Sequence, residues 1–297
     1  MNSPGRRSPG RRVVALIAAA VCAAALSGCA LGGSLDQVLD SPGARPPART
    51  SLPGARIDPP KLFHRARPAV VTVISQFGGP AGQLSLGTGF AAGDRSTIVT
   101  NTHVVTNPFS PGQRATQVNL QLADGSRIAA RIVGIDPHAD IAVLRTARPV
   151  AKRALRFSRQ PARIGDPVMT IGSPLGETYT MSLGYVTGVD RRISGLAGFK
   201  IDGAIQTDAV ITMGNSGGPL LNASGEAIGV TGQMLTVGGG GEGLGFAVPA
   251  ALARRSFAYL SAGRHVPYAY LGVNGKPLWR GAGGIHGLPH RPGVLVG

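Results

Sequence analysis

Acidic side chains are scarce in this 297-residue chain: 14 Asp and Glu stand against 30 Lys and Arg, a formal net charge of +16. Aromatic residues make up only 5%. The basic excess comes without aromatic interleaving, zinc-ligand spacing or a basic helix, which excludes a reader of nucleic acid. Its densest run, "RTARPVAKRALRFSRQPARIG" (145–165), reads as a solvated linker, with attraction to an anionic envelope surface as the alternative. Cysteine is nearly absent. Cys22 and Cys29 both lie in the first thirty residues, so the body of the chain has no disulfide framework and no cysteine metal site. No segment calls for a metal or a cofactor. The longest apolar run, "VVALIAAAVCAAA", is short of the ~20 residues of a spanning helix.

The amino terminus is the first feature that is present rather than missing. "MNSPGRRSPGRR" is basic and acid-free, the apolar run follows, and small residues lead to Cys29, the order of a targeting segment. Leu26-Ser27-Gly28-Cys29 resembles a bacterial lipobox. The resemblance implies removal of residues 1–28, lipid on Cys29, and a membrane attachment at the extracytoplasmic face of the cell membrane. An ordinary secretory signal and an uncleaved anchor helix are the alternatives. Residues 29–60 are rich in Pro, Gly and Ala without apolar periodicity, a tether. Order is expected to begin near Pro68.

With 45 Gly and 23 Pro, the rest favours turns and short elements over long helices. "AVVTVISQF", "LGTGFAA", "STIVTN", a hairpin on Asp124-Gly125 and "DIAVLRT" form one series of strands. A second series runs from "DPVMTIGS" through "MSLGYVTGVD", "GAIQTDAVI" and "GPLLNASGEAIGVTG" to "GLGFAVP". Two groups around one linker predict an all-β protein of two antiparallel six-stranded barrels, 61–150 and 166–263, joined by 151–165. One helix is expected, with Pro249 in its first turn and Leu252, Ser256, Tyr259 and Leu260 on one face before Gly263.

"ITMGNSGGPLLN" (211–222) surrounds Ser216 with glycines. Peptide hydrolysis by serine needs a hydroxyl, a base, a buried carboxylate that orients the base, and N–H donors for the oxyanion. Side-chain-free positions let successive amides turn inward as an anion nest. Of six histidines, His103 alone follows an apolar strand, in "STIVTNTHVVT". In "GIDPHADIAVLRT", Asp140 abuts an apolar strand, whereas Asp136 precedes a proline and reads as a turn residue. Gly214–Gly218 also fits the G-x-S-x-G elbow of α/β-hydrolases, but the chain returns as a strand where that fold needs a helix.

"TNTHVV", "HADIAVL" and "TDAVITMGNSGGPLLN" resemble, in order, the His, Asp and Ser blocks of HtrA/Deg-family trypsin-like serine proteases; "GTGF", "IGSPLG" and "GLGFAVP" match further pieces. The resemblance covers about 65–262. It implies a chymotrypsin-like double barrel, Ser216 as nucleophile, His103 as general base, Asp140 as its orienter, and an oxyanion hole from the amides of Gly214 and Ser216. Polypeptides would be the substrates and a homotrimer the assembly. Met213 and Thr212 depart from the residues frequent there, Pro and Asn. Six residues before Ser216, at the floor of the primary pocket, stands Val210, followed by Ile211. An apolar floor cannot balance a buried cation, which predicts cleavage after small or medium aliphatic residues. "AYLGV" (269–273) and "GVLVG" (293–297) look like opening strands of a PDZ domain, so 264–297 is expected to be a partial PDZ-like tail. "YAYLGV" is expected to order against the protease, with no regular element after Trp279. A chaperone-like or binding protein on a protease scaffold is the rival from another class.

Overall fold

The computed structural model describes residues 56–78, 82–107, 110, 112–173, 179–236, 243–269, 275–278 and 293–296, with 233–236, 243 and the last two segments by backbone alone. Alternating β-branched residues dominate, and they close two barrels. The first contains β1 (Val70–Phe77), β2 (Gln83–Ala91), β3 (Thr97–Thr100), β4 (Gln117–Gln121), β5 (Arg127–Asp136) and β6 (Ile141–Thr146), in the order β1-β2-β3-β6-β5-β4. The second contains β7 (Pro167–Gly172), β8 (Thr180–Ser194), β9 (Lys200–Thr207), β10 (Pro219–Leu221), β11 (Ala227–Thr236) and β12 (Gly243–Pro249), in the order β10-β11-β12-β9-β8-β7. All pairs within the barrels are antiparallel. The two six-stranded barrels and the helix after β12 are as the sequence predicts.

The apolar runs are continuous because several strands are buried on both faces. In β6, Ala142 and Leu144 point into the first barrel, while Ile141 and Val143 join a cluster shared by both barrels. In the second barrel, Val168 and Leu220 face inward, and Met169, Ile171 and Leu221 join the same shared cluster. That common core sets the position of one barrel on the other.

Two departures from the sequence reading concern the connections. Order begins before Pro68: α1 (Pro59–Ala66) starts on Asp58, whose side chain accepts from the Lys61 amide, and it buries Leu62 and Ala66 in the shared core. Isolated Pro and Gly content suggested a tether there, but two prolines in a first helical turn satisfy that position. The linker is also not simply solvated. Its arginines are outside, yet Leu155 bridges to Ala92 and Phe157 to Ala227, and the Phe157 ring meets Phe90 edge-on at 5.7 Å.

The helix α2 (Thr102–Val105) follows β3, and α3 (Ala250–Ser261) follows β12 with Pro249 as N-cap rather than inside it. Ala253, Ser256 and Leu260 are its buried face, with Leu252 and Tyr259 only half-buried. α3 leaves the second barrel and packs on the first, where a Cβ on Gly134 of β5 would stand 2.8 Å from Leu260. Beyond it, β13 (Gly275–Leu278) pairs antiparallel with β14 (Gly293–Val296), so a regular element does follow Trp279. Of the expected "AYLGV" strand, residues 270–273 lie outside the described residues.

Candidate active site

Three loops from the two barrels form the site. β3 ends at Thr100, and the chain turns through Asn101 into α2, whose single turn buries Thr102, Val104 and Val105 and leaves His103 partly open. The Thr102 hydroxyl lies within donor distance of the carbonyls of Ile141 (2.9 Å) and Asp136 (3.2 Å), tying α2 to the β5–β6 turn. That turn, Pro137–Asp140, closes a register in which Asp136 faces Ile141, and Asp140 adopts φ 52°. A non-glycine residue holds such a conformation when its surroundings fix it. Here the Asn101 side-chain amide (2.8 Å) and the Thr102 N–H (3.2 Å) both donate to the Asp140 carbonyl.

The result is a two-point grip on His103. Its backbone N–H donates to Asp140 Oδ1 at 3.0 Å, and Nδ1 meets Asp140 Oδ2 at 2.7 Å. The Asp140 side chain is 3% exposed and that of His103 13%. A proton on Nδ1 shared with this carboxylate leaves Nε2 as an acceptor.

Ser216 comes from the second barrel. Its peptide neighbours are held in succession: the Gly214 carbonyl accepts from Thr88 Oγ1 (2.6 Å), the Asn215 carbonyl from Thr231 Oγ1 (2.6 Å), and the Ser216 carbonyl from the Thr88 N–H (2.8 Å). The amides of Gly214 and Ser216 meet no acceptor among the described residues. The Ser216 hydroxyl donates to the Gly232 carbonyl at 2.8 Å and makes no hydrogen bond with His103. Gly232 is at a register shift in the β11–β12 ladder, between Thr231 and Gln233.

The glycines around Ser216 have a reason beyond the anion nest. Gly217 has φ +87°, and a Cβ there would stand 2.2 Å from both Thr100 Oγ1 and the Thr88 carbonyl. Gly218 would place one 2.7 Å from the Ile171 carbonyl. Side chains are missing at these positions because Thr88 and Thr100 of the first barrel press against Gly217, and β7 of the second barrel presses against Gly218. Thr88, in the "GTGF" segment, Thr100 and Thr231 were not expected to carry this load. Their sequence signal is slight: Thr88 lies in the family-like "GTGF" piece, and Thr100 and Thr231 are hydroxyls in strands that hold other polar residues.

Val210 is 59% exposed, and its N–H donates to Ser182 Oγ at 2.8 Å, whereas Ile211 is 2% exposed. A Cβ on Gly245 would be 2.8 Å from Ile211 Cδ1, so that glycine makes room for the isoleucine. Met213, beside the turn, is 85% exposed. Cys29 lies outside the described residues. Asp136 is not the exposed turn residue its proline suggested. It is 2% exposed, accepts from Ser256 Oγ of α3 at 2.6 Å, and accepts from the Tyr268 hydroxyl at 2.8 Å. Burial, and then the bond to Asp136, raises the Tyr268 hydroxyl above the usual tyrosine range.

Comparison with known proteins places the domain that carries this site. Residues 87–230 match the family model of the trypsin-like peptidase domain. The solved HtrA-type protease AlgW with a tripeptide superposes with a TM-score of 0.63 at 32% identity, over 73% of this chain and 68% of that one. The chain belongs to the HtrA family of trypsin-like serine proteases. Among curated HtrA-type relatives, the periplasmic serine endoprotease DegP of Escherichia coli (strain K12) is 36% identical over 197 residues, 66% of this chain and 40% of the relative. A probable DegP-like periplasmic endoprotease of Chlamydia trachomatis is 35% identical over 192 residues, 65% of this chain and 37% of the relative. The HtrA-type region thus spans about two fifths of these curated relatives.

Proposed function

We propose that this HtrA-type chain is a serine endopeptidase that cleaves polypeptides outside the cytoplasm through an acyl-enzyme on Ser216. The observation that carries the reading is the two-point bond between His103 and Asp140, presented beside a glycine turn whose Gly214 and Ser216 amides are uncommitted. In the reaction, Ser216 Oγ rotates from Gly232 toward His103 Nε2, which takes its proton as Oγ attacks the scissile carbonyl. Asp140 orients the imidazole and stabilises its charged form. The Gly214 and Ser216 amides receive the oxyanion. Collapse of the tetrahedral intermediate returns the proton to the leaving amine, and water then hydrolyses the ester by the same route.

Ile211, buried against Gly245, supports an apolar primary pocket, with Val210 at its exposed side rather than as a buried floor, and a preference for small or medium aliphatic residues. The periplasmic location named for the DegP relatives supports an extracytoplasmic site of action, and the lipobox-like tetrad supports attachment through lipid on Cys29. Misfolded extracytoplasmic proteins as substrates, a homotrimeric assembly, and the division into barrels at 61–150 and 166–263 with a PDZ-like 264–297 belong to the same proposal.

A second reading, a weakly proteolytic chaperone-like protein, is favoured by one observation: the Ser216 hydroxyl rests on Gly232 and not on His103. Casein digestion beside the Ser216→Ala form, with a fluorophosphonate probe for serine reactivity, separates the two. Casein cleavage and probe labelling that both vanish in Ser216→Ala are expected. Wild-type protein that neither cleaves nor labels would leave the chaperone reading standing.

A further inference from the structure

Nothing hydrogen-bonds Ser216 to His103 in this structure, yet the two must meet within about 3 Å for proton transfer. A chain of polar contacts runs between their loops through the core between the barrels. Thr88 is in β2 of the first barrel and fully buried. Its hydroxyl donates to the Gly214 carbonyl at 2.6 Å and accepts from the Ser173 amide at 3.1 Å. Its N–H donates to the Ser216 carbonyl at 2.8 Å, and its own carbonyl accepts from Thr100 Oγ1 at 2.7 Å. Thr100 precedes Asn101, the residue that binds the Asp140 carbonyl and opens the His103 helix.

We propose that Thr88 is a positioning residue for the nucleophile turn, clamping it from the opposite barrel so that Ser216 and its N–H keep their register with His103. The inference rests on the peptidase reading above. The geometry gives the clamp two arms. Thr88 fixes the 214–215 and 216–217 peptide planes through the Gly214 and Ser216 carbonyls. Thr231 of the second barrel fixes the plane between them through the Asn215 carbonyl, and the Ser216 N–H belongs to that middle plane. In a trans peptide the N–H points away from its carbonyl. Tying the Asn215 carbonyl to Thr231 therefore turns the Ser216 amide to the opposite side. Gly217 is required because Thr88 and Thr100 occupy the space a side chain would need.

Thr88→Val keeps shape and volume but removes the hydroxyl, leaving the Gly214 carbonyl and the Ser173 amide without it. Thr88→Ser restores it. Loss of a direct oxyanion donor costs about 10²–10³ in kcat, and a group acting behind the donors should cost less, roughly 10–10²-fold. In Thr88→Val that fall is expected in kcat with KM within about twofold, matched by an equal loss of affinity for a peptide boronate that forms a tetrahedral adduct on Ser216. Thr88→Ser should recover most of both. A purely structural threonine would lower thermal stability without this split. Thr100→Val gives a second measurement should Thr88→Val not fold. It frees the Thr88 carbonyl while Gly214 keeps its partner, and a smaller fall, again in kcat, is expected. Wild-type kcat and boronate affinity in the variant that folds, or a loss carried by KM alone, would overturn the inference. Wild-type protein as inert as Ser216→Ala would instead remove the peptidase reading beneath it.

Discussion

Asp140 makes two hydrogen bonds to one residue, which sets what its replacement should do. In Asp140→Asn the side-chain NH2 must face either the His103 N–H or Nδ1. If it faces the ring, it donates and forces the proton onto Nε2, the wrong tautomer for a base. Activity should fall by about 10⁴, the size of the effect in a comparable triad, with folding preserved by circular dichroism. His103→Ala should be as inactive as Ser216→Ala. Residual kcat near wild type in any of the three would contradict the assigned roles. Two glycines offer a contrast at the same scale. Gly217→Ala meets backbone and hydroxyl at 2.2 Å as well as a positive φ, whereas Gly125, also at positive φ (+80°), faces open space. Strain plus overpacking predicts a loss of about 2–5 kcal/mol at Gly217. At Gly125 only the backbone strain of about 1 kcal/mol remains. Urea unfolding of the two variants measures the difference.

Among elements, α3 and the segment after it reach back to the β5–β6 turn that presents Asp140. Ser256 and Tyr268 both donate to buried Asp136, the Tyr268 ring stacks on His138, and Arg255 lies over that ring at 4.7 Å. The tail is thereby tied to the orienting acid through one turn of chain. Tyr268→Phe should cost about 1 kcal/mol, since a bond to a charged group is being lost at a partly exposed site. It should also remove one late step from the spectrophotometric tyrosine titration. Tyr179 is the other retarded tyrosine: burial pushes its hydroxyl up to about 12, against the pull of Arg67, while its OH donates to the Val70 carbonyl. A folded pKa raised above the unfolded value near 10 means a contribution fully present below pH 10 and lost as pH rises through about 12. The alkaline loss of stability should therefore be shallower in Tyr179→Phe than in wild type. Equal slopes would show that Tyr179 titrates normally.

At the scale of the whole molecule, both barrels, α1 and α3 contribute to one shared core, and the proposed site draws on both barrels. The basic excess lies on the outside of that body. Among the described residues only Arg163–Asp166, Arg192–Asp202 and His103–Asp140 form ion pairs, so few of the described arginines are neutralised by a carboxylate, although several bond carbonyls or lie over rings. If Cys29 is lipidated, metabolic labelling with a palmitate analogue should mark the wild type and miss Cys29→Ser. Equal labelling of both would leave only an ordinary secretory signal.

Read alone, the sequence carried the two six-stranded barrels and pointed to His103, Asp140 and Ser216 as the proposed triad. The barrels follow from local alternation and turn residues, and the triad from the resemblance of three short blocks to those of the HtrA/Deg family. Tertiary structure decided what depends on contacts between distant segments. Asp136 looked like a turn residue because its proline is adjacent, but Ser256 and Tyr268, more than a hundred residues away, make it a buried acceptor. Pro59 and Pro60 looked like tether until a surface for Leu62 and Ala66 made their helix worth forming. Thr88 carries no pattern of its own, since a threonine in a strand is ordinary. Its importance arises only when the second barrel places two carbonyls against it, and hydrogen-bond direction between barrels is not written in the order of residues along either one.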